Sequence, residues 1–550
     1  MTRTHIKRHN PTALQLLTAA AFLICTLTPA WAQQDGASSG QSGSGQSGSG
    51  QAAPAQPASG QPGAATPSTD QSSSGQSSSG QSSPDQANGA PPAATAPAAG
   101  PDIENPPLSG LDEPSSEPAY GGRSYLVPGL QISESVNSTS SGLNSKSSGV
   151  DESARGLGSL DLQKIWKKSQ LGLDYVAGGT IYQGHIHQAH LSNKYQTHTL
   201  ALVQRMLWRT GQLAFRDSFS YLPEGSFGFG SFGGSGGFGS ALGGGGSNGG
   251  AGTGLGGGIT GGTPGGGTLG GGSIGSIGIQ PRISNTSSVD VTQSFTPRST
   301  VTALVSFDYT DFLKNAQSSL SLINSQMSAA QVGYDYKLSR HDQLSATYTY
   351  QSFHFPRSGS GNVEAQQWHV LYGHRISGRL NLVFGGGPQL IIFHRPGISV
   401  PSKITGSGRA NLTYQLSART STQISYMHYT SPGSGFFAGA NTDLVNGSVS
   451  RLFGRKWNFA ANVGYSRNHQ LQASLLGAST ATTYNYLFAG SSVRRQLGRY
   501  FGAFVSYQYS DLRFNRGAVV CTTLTTCGNS SAQQVGMVGI DWHPHPFRLD

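Results

Sequence analysis

Apolar and polar residues alternate along most of the chain between residues 126 and 542. A clear example is a set of apolar residues at every second position, separated by mostly polar neighbours: Val301, Ala303, Val305, Phe307 and Tyr309. Successive side chains of a β-strand point to opposite faces, so a period of two places each set on one face. The pattern therefore predicts a series of strands, each with one apolar and one polar face.

The alternating stretches are joined by short polar turns and longer loops in strict succession. We predict eighteen strands, with sixteen as the fallback count, beginning near residues 124, 156, 169, 194, 211, 286, 299, 325, 342, 362, 379, 404, 420, 442, 456, 482, 499 and 532. Each short turn follows an even-numbered strand. An even count then returns both chain ends to the side of the short turns.

Short turns on one side and long loops on the other are typical of a transmembrane antiparallel up-and-down β-barrel, in which the short turns face the periplasm. A soluble β-sandwich also alternates, so the alternation alone does not decide between the two. Tyr, Phe and Trp near the strand ends favour the barrel, because they suit the aromatic girdles at the two membrane interfaces. The predicted fold class is all-β, with the barrel covering residues 121–550.

Composition agrees with a barrel and excludes several function classes. Only 11% of the 550 residues are charged, against roughly 25% in an ordinary soluble domain. The formal net charge of +10 comes from scattered turn and loop residues, and an anion-attracting pore is the alternative interpretation. No run of Lys and Arg interleaved with aromatic residues points to nucleic acid.

The first 120 residues form two segments that differ from the rest. Residues 1–32 have a basic start, an apolar core and a final Ala30-Trp31-Ala32, as in a secretory signal peptide. Residues 33–120 are rich in Ser, Gly, Gln, Ala and Pro, and we predict a disordered periplasmic linker. A periplasmic partner of this linker is a further hypothesis.

A glycine-rich loop at residues 223–284 interrupts the strand pattern. About half of residues 224–280 are glycine, and Glu224 is the only charged residue among them. Such a composition favours a flexible extracellular loop. A loop that folds into the lumen as a constriction or plug is the alternative, and a role in adhesion is a third.

The run from residue 126 to residue 542 resembles a bacterial outer-membrane β-barrel of the porin-like kind. The stretch from Leu126 to Asn137 is also similar to the first strand of barrels associated with exopolysaccharide systems. The resemblance implies a place in the outer membrane, surrounded by lipid and inserted by the barrel-assembly machinery. The final strand of that family normally ends in an aromatic residue, whereas here eight residues follow Trp542, and Trp542 or Phe547 would have to serve.

Polar residues of the alternating stretches are the candidates for lining a lumen. An eighteen-strand barrel encloses a lumen wide enough for water. The leading hypothesis is therefore a channel for passive passage of small hydrophilic solutes; a secretion or exopolysaccharide-export barrel and a structural or adhesive surface protein are the alternatives. The candidate lumen residues are Asp308, Gln331, Asp335, Lys337, Thr347, Gln351, Asn458, Asn462, Ser506 and Gln508.

Other chemistry is poorly supported by the sequence. Cys521 and Cys527 lie six apart in a loop, and we expect them to form a disulfide on an oxidising export route. The histidines at 185, 187 and 190 are better explained as exposed loop residues than as a metal site. No catalytic set is recognisable, so we expect neither an enzyme nor a cofactor. A homo-oligomer is possible, without a specific signal for one.

Overall fold

The computed structural model describes residues 108–109, 124–141, 149–184, 194–222, 282–313, 322–356, 361–395, 400–433, 435–454, 456–471, 482–515 and 530–549. All of them belong to one compact unit, Pro92–Asp550. Nineteen strands occur in this part of the chain, and together they form one sheet.

The strands are long enough to cross a bilayer at a tilt, since about 9 to 11 residues suffice. Their bounds are β1 Tyr125–Ser141, β2 Gly149–Ile165, β3 Ser169–Gly184, β4 Lys194–Trp208, β5 Gly211–Leu222, β6 Arg282–Ser294, β7 Ser299–Phe312, β8 Ser325–Lys337, β9 Asp342–His354, β10 Asn362–Ser377, β11 Leu380–His394, β12 Lys403–Ser417, β13 Thr420–Ser431, β14 Ala440–Phe453, β15 Trp457–Gln470, β16 Thr483–Gln496, β17 Phe501–Phe514, β18 Ser530–Trp542 and β19 Phe547–Arg548.

The sheet closes on itself into an antiparallel barrel. Each strand from β1 to β18 pairs with the next along the chain, and β1 also pairs with β18, with Leu130 opposite Trp542. The two residues of β19 extend the β18 side of this seam, because Phe547 lies opposite Leu126. Because the sheet is closed, β1–β18 have no open edge with unpaired backbone N–H and C=O groups. A sheet surrounded by hydrocarbon must meet this requirement. The predicted eighteen-strand barrel is confirmed.

Four of the short turns share one local hydrogen bond. A Ser or Thr hydroxyl at the start of the turn accepts a backbone N–H two residues further on. Residue 339 illustrates it: its Oγ accepts from the amides of His341 and Asp342, both at 3.0 Å. The hydroxyl replaces a backbone partner and stabilises the reversal of direction. The other three turns begin at Thr296, Ser377 and Ser417.

The outer face of the barrel carries exposed apolar side chains. Val305 is 62% exposed and Val332 is 56% exposed, while the neighbouring Ser306 and Gln331 on the other face are buried. A soluble protein has the opposite arrangement. Here the apolar side chains cover the outside of the barrel and the polar side chains face its interior. Hydrocarbon is the solvent that such an outer face requires. Among the described residues, no helix is both long and apolar enough to span a membrane.

Candidate functional site

The inner face of the barrel is the candidate site. The strand register places all ten predicted lumen residues on it: Asp308, Gln331, Asp335, Lys337, Thr347, Gln351, Asn458, Asn462, Ser506 and Gln508. Those on β7–β9 lie close together; Thr349, for example, donates from Oγ1 to Oε1 of Gln331 at 3.0 Å. Asn458 and Asn462 on β15 and Ser506 and Gln508 on β17 form a separate group on another part of the wall.

The connection between β13 and β14 folds into the lumen. It runs from Pro432 to Gly439 and contains three glycines with positive φ, at 87° for Gly433, 82° for Gly435 and 86° for Gly439. Residues with a Cβ rarely adopt this conformation. The three glycines allow the chain to turn sharply enough to enter the barrel. We call residues 432–439 the inner loop.

The inner loop reaches opposite walls. Phe436 packs edge-on against Tyr484 of β16, with ring centroids 5.6 Å apart. At Gly435 a Cβ would lie 2.8 Å from Cε2 of Phe312, at the end of β7. Half of the ring of eighteen strands separates β7 from β16. The loop therefore crosses the lumen at the end of the barrel where the long loops lie.

Two apolar clusters hold the inner loop in place. Phe437 is only 1% exposed and belongs to the first cluster, with Ala440, Tyr484, Tyr486, Phe488, Leu512 and Phe514. The second cluster joins Ala438 to Met327, Phe353, Phe355, Val363, Ala365 and Ile391. Backbone bonds add to this, since the amide of Ile323 donates to the carbonyl of Gly435 at 2.8 Å. Packed apolar side chains of this size make the loop a fixed wall of the lumen.

This constriction was not predicted from the sequence. The sequence suggests the glycine-rich loop at 223–284 as an alternative constriction, but its residues 223–281 lie outside the described part of the chain. A signal for the inner loop does exist, because Phe436-Phe437-Ala438 is an apolar run between glycines in a long connection. Tyr484, Tyr486 and Phe488 on the inner face of β16 are the matching signal: apolar residues where a water-filled lumen requires polar ones.

Arginines line the wall formed by β2–β6. Arg155, Arg205, Arg216 and Arg282 all have the inward register. Arg216 forms an ion pair with Asp290 of the neighbouring strand. Two further aspartates, on β2 and β3, lie opposite each other on the same wall: Asp161 and Asp174. The electric field in this part of the lumen therefore depends on both positively and negatively charged side chains.

A second charged group lies at the short-turn end of the barrel. Arg494 of β16 forms an ion pair with the buried Asp541 of β18. His543, which follows β18, places Nε2 at 3.4 Å from Oδ2 of the same aspartate. This group links the end of β18 to β16 at the short-turn end of the barrel.

Several predicted features lie outside the described residues. They include the signal peptide, most of the linker, Cys521 and Cys527, and the histidines at 185, 187 and 190. Their disulfide, processing and metal predictions stay predictions. Within the described ranges, no three His, Cys, Asp or Glu side chains are grouped closely enough to hold a metal ion.

Of the comparisons with known proteins, only the one with solved structures gave matches. No protein-family model matches the chain, and no curated protein matches it. The outer membrane protein OpdK from Pseudomonas aeruginosa aligns with 76% of this chain and 99% of its own, at 9% identity and a TM-score of 0.37. OccAB4 from Acinetobacter baumannii aligns with 78% and 100%, at 9% identity and a TM-score of 0.36.

The architecture identifies the class of protein without help from these matches. A closed antiparallel barrel with an apolar outer face, a polar inner wall and short turns on one side belongs in an outer membrane. The chain is therefore a transmembrane β-barrel of the bacterial outer-membrane type.

Proposed function

We propose that this protein is a porin-like channel for passive passage of small hydrophilic solutes. The observation that carries the proposal is the closed barrel of eighteen strands, whose inner wall on β1–β6 carries polar and charged side chains. Gln131, Ser133 and Thr180 line this wall beside the arginines. Hydroxyl, amide and charged groups on a lumen wall replace part of the hydration shell of a passing solute.

The experiment that tests the proposal is single-channel recording of the purified full chain in a planar bilayer. We expect stepwise conductance in salt solution. A barrel that is folded, as judged by its shifted mobility in unheated SDS gels, and yet silent in the bilayer would overturn the proposal. The export and adhesion hypotheses stay predictions.

The arginine wall gives the channel a specific electrostatic prediction. A unit charge about 8 Å from an ion in water changes its energy by about 0.5 kcal/mol, or about twofold in relative permeability. Neutralising Arg155 and Arg205 together, as R155Q/R205Q, should therefore shift the permeability ratio towards cations by about two- to fivefold. The reversal potential in a salt gradient measures this shift.

A control removes one positive charge from the outer face of the barrel. Arg451 points outward from β14, with its guanidinium 4.5 Å from the ring centroid of Phe453. R451Q should leave the reversal potential unchanged. Equal shifts in R155Q/R205Q and R451Q would mean that ions do not pass along the arginine wall.

A further inference from the structure

Two residues that precede the barrel lie inside it. Leu108 and Ser109 belong to the segment predicted as a linker, yet they contact the inner face of β7 and β8. The amide of Ser109 donates to Oδ1 of Asp335 at 3.0 Å. Its hydroxyl donates to the other carboxylate oxygen of Asp335 and lies 2.6 Å from Oγ1 of Thr302.

Both backbone carbonyls of this dipeptide also have side-chain partners. Gln331 donates from Nε2 to the carbonyl of Ser109 at 2.7 Å. Arg409 donates from its guanidinium to the carbonyl of Leu108 at 2.6 Å. A buried backbone polar group without a partner is costly, and here the barrel wall supplies the partners that a neighbouring strand would supply elsewhere. Ser109 is 1% exposed, so these bonds are shielded from water.

The wall has room for the dipeptide because two inward positions carry no side chain. A Cβ at Gly333 would overlap the side chain of Ser109. A Cβ at Gly373 would lie 3.1 Å from Cδ2 of Leu108. We call the surface made by Thr302, Gln331, Gly333, Asp335, Gly373 and Arg409 the dipeptide seat.

The dipeptide seat lies towards the opposite end of the barrel from the inner loop. Asp335 is close to the end of β8 at Lys337, and Thr302 is close to the start of β7 at Ser299, where the short turns are. The inner loop contacts the other ends of the same strands, at Phe312 and Ile323. The chain therefore narrows its lumen at two levels.

We propose that Leu108 and Ser109 themselves form an internal plug, which the dipeptide seat holds in the lumen and releases when the channel opens. The proposal rests on the channel function proposed above. Its occupant is this chain's own segment, because the seat supplies a partner to each polar group of Ser109 and to the carbonyl of Leu108. Such a plug lowers the flux of solute by occupying part of the lumen and not by changing the barrel.

A disulfide trap tests whether the dipeptide occupies the seat in the assembled protein. Ser109 and Thr302 are replaced by cysteine in a full chain whose Cys25, Cys521 and Cys527 are changed to serine. The two hydroxyls lie 2.6 Å apart, so sulfur atoms at these positions come within reach of a disulfide. S109C/T302C should cross-link on oxidation, as a mobility shift that a reductant reverses. The control pair S109C/S506C, with the second cysteine on β17, should not cross-link.

Conductance then tests whether the seated dipeptide limits flux. The oxidised S109C/T302C barrel should show a smaller and steadier conductance than the same barrel after reduction. D335A removes the acceptor of two hydrogen bonds and should lower occupancy of the seat by about tenfold, because bonds to a charged group are among the stronger ones. The step amplitude or open probability should rise accordingly. D217A is the matched control, since Asp217 points outward from β5 and accepts from Asn285 and Ser287 on the barrel wall.

The results of these experiments distinguish failure of the plug proposal from failure of the channel proposal. Cross-linking no greater than in the control pair would overturn the docking of the dipeptide. Equal conductance of the oxidised and reduced trap, or of D335A and the parent chain, would overturn its gating role. A barrel that cross-links as expected but is silent in every variant would retain the docking, and would overturn both the gating role and the proposed channel function.

Discussion

Replacing the inner loop by a tight turn should widen the channel at the end of the barrel where the long loops lie. We expect residues 432–439 to be exchangeable for Asn-Gly, which favours a two-residue hairpin turn. Because the loop reaches from β7 to β16, its removal should raise single-channel conductance by at least about twofold, as expected for a lumen of this strand number without an internal loop. Recording in a planar bilayer measures the change.

A single substitution in the inner loop tests the effect of its packing while its length stays the same. Phe437 is 1% exposed, and truncating a buried phenylalanine costs about 3 to 5 kcal/mol. F437A should loosen the loop and give a noisier current with larger openings. F307A is the control, because Phe307 points outward on β7 and is 44% exposed. Unchanged conductance in both the loop replacement and F437A, in folded barrels, would contradict the role of the loop as a constriction.

Gly387→Val should destabilise the barrel. Gly387 lies in β11, and a Cβ there would overlap the backbone carbonyl of Trp368 in β10. The regular pairing of β10 with β11 is interrupted between Gln367 and Val370, opposite this glycine. Inserting a side chain into a packed site costs about 1 to 3 kcal/mol, and the clash is with backbone, which cannot rotate away. We expect a loss at the upper end of this range.

A neighbouring glycine supplies the control for this prediction. Gly406 of β12 lies opposite Pro388, and a Cβ there would meet nothing within 4 Å. G406V should fold like the parent chain. The fraction of protein that keeps the compact mobility in unheated SDS gels, and the urea midpoint of that fraction, measure the difference. Equal midpoints for G387V and G406V would show that the close approach of β10 and β11 is not needed.

Most strands could be placed from the sequence because their two faces differ chemically. On β8 and β9 apolar and polar residues alternate without exception along the middle of the strand, and the predicted starts at 325 and 342 agree with the structure. β2 begins at Gly149, seven residues before the predicted start near 156. Its first part carries Glu152 on the outer face, so no apolar alternation marks it.

The candidate site could be predicted only in part. The inward orientation of Gln331 or Asn462 follows from the period of two, which needs only the local sequence. In β16 the alternation does not show which face lines the lumen, because Tyr484, Tyr486 and Phe488 face inward and pack in one cluster with Phe437 of the inner loop. An apolar residue on the polar face breaks the alternation, and its position is explained only by the residue against which it packs. That partner, Phe437 of the inner loop, lies 47 positions before Tyr484 in the chain.

From the amino-acid order we predict the class of this protein, the number of strands in its barrel, the side on which its short turns lie and the face to which most side chains point. All of these depend on local alternation and on turn residues, which act between near neighbours. The contents of the lumen depend on the tertiary structure: among the described residues they are the inner loop between β7 and β16, and Leu108 and Ser109, which are bound at Asp335. Those contacts join residues far apart in the chain, and they form only once the barrel has closed and brought opposite walls together.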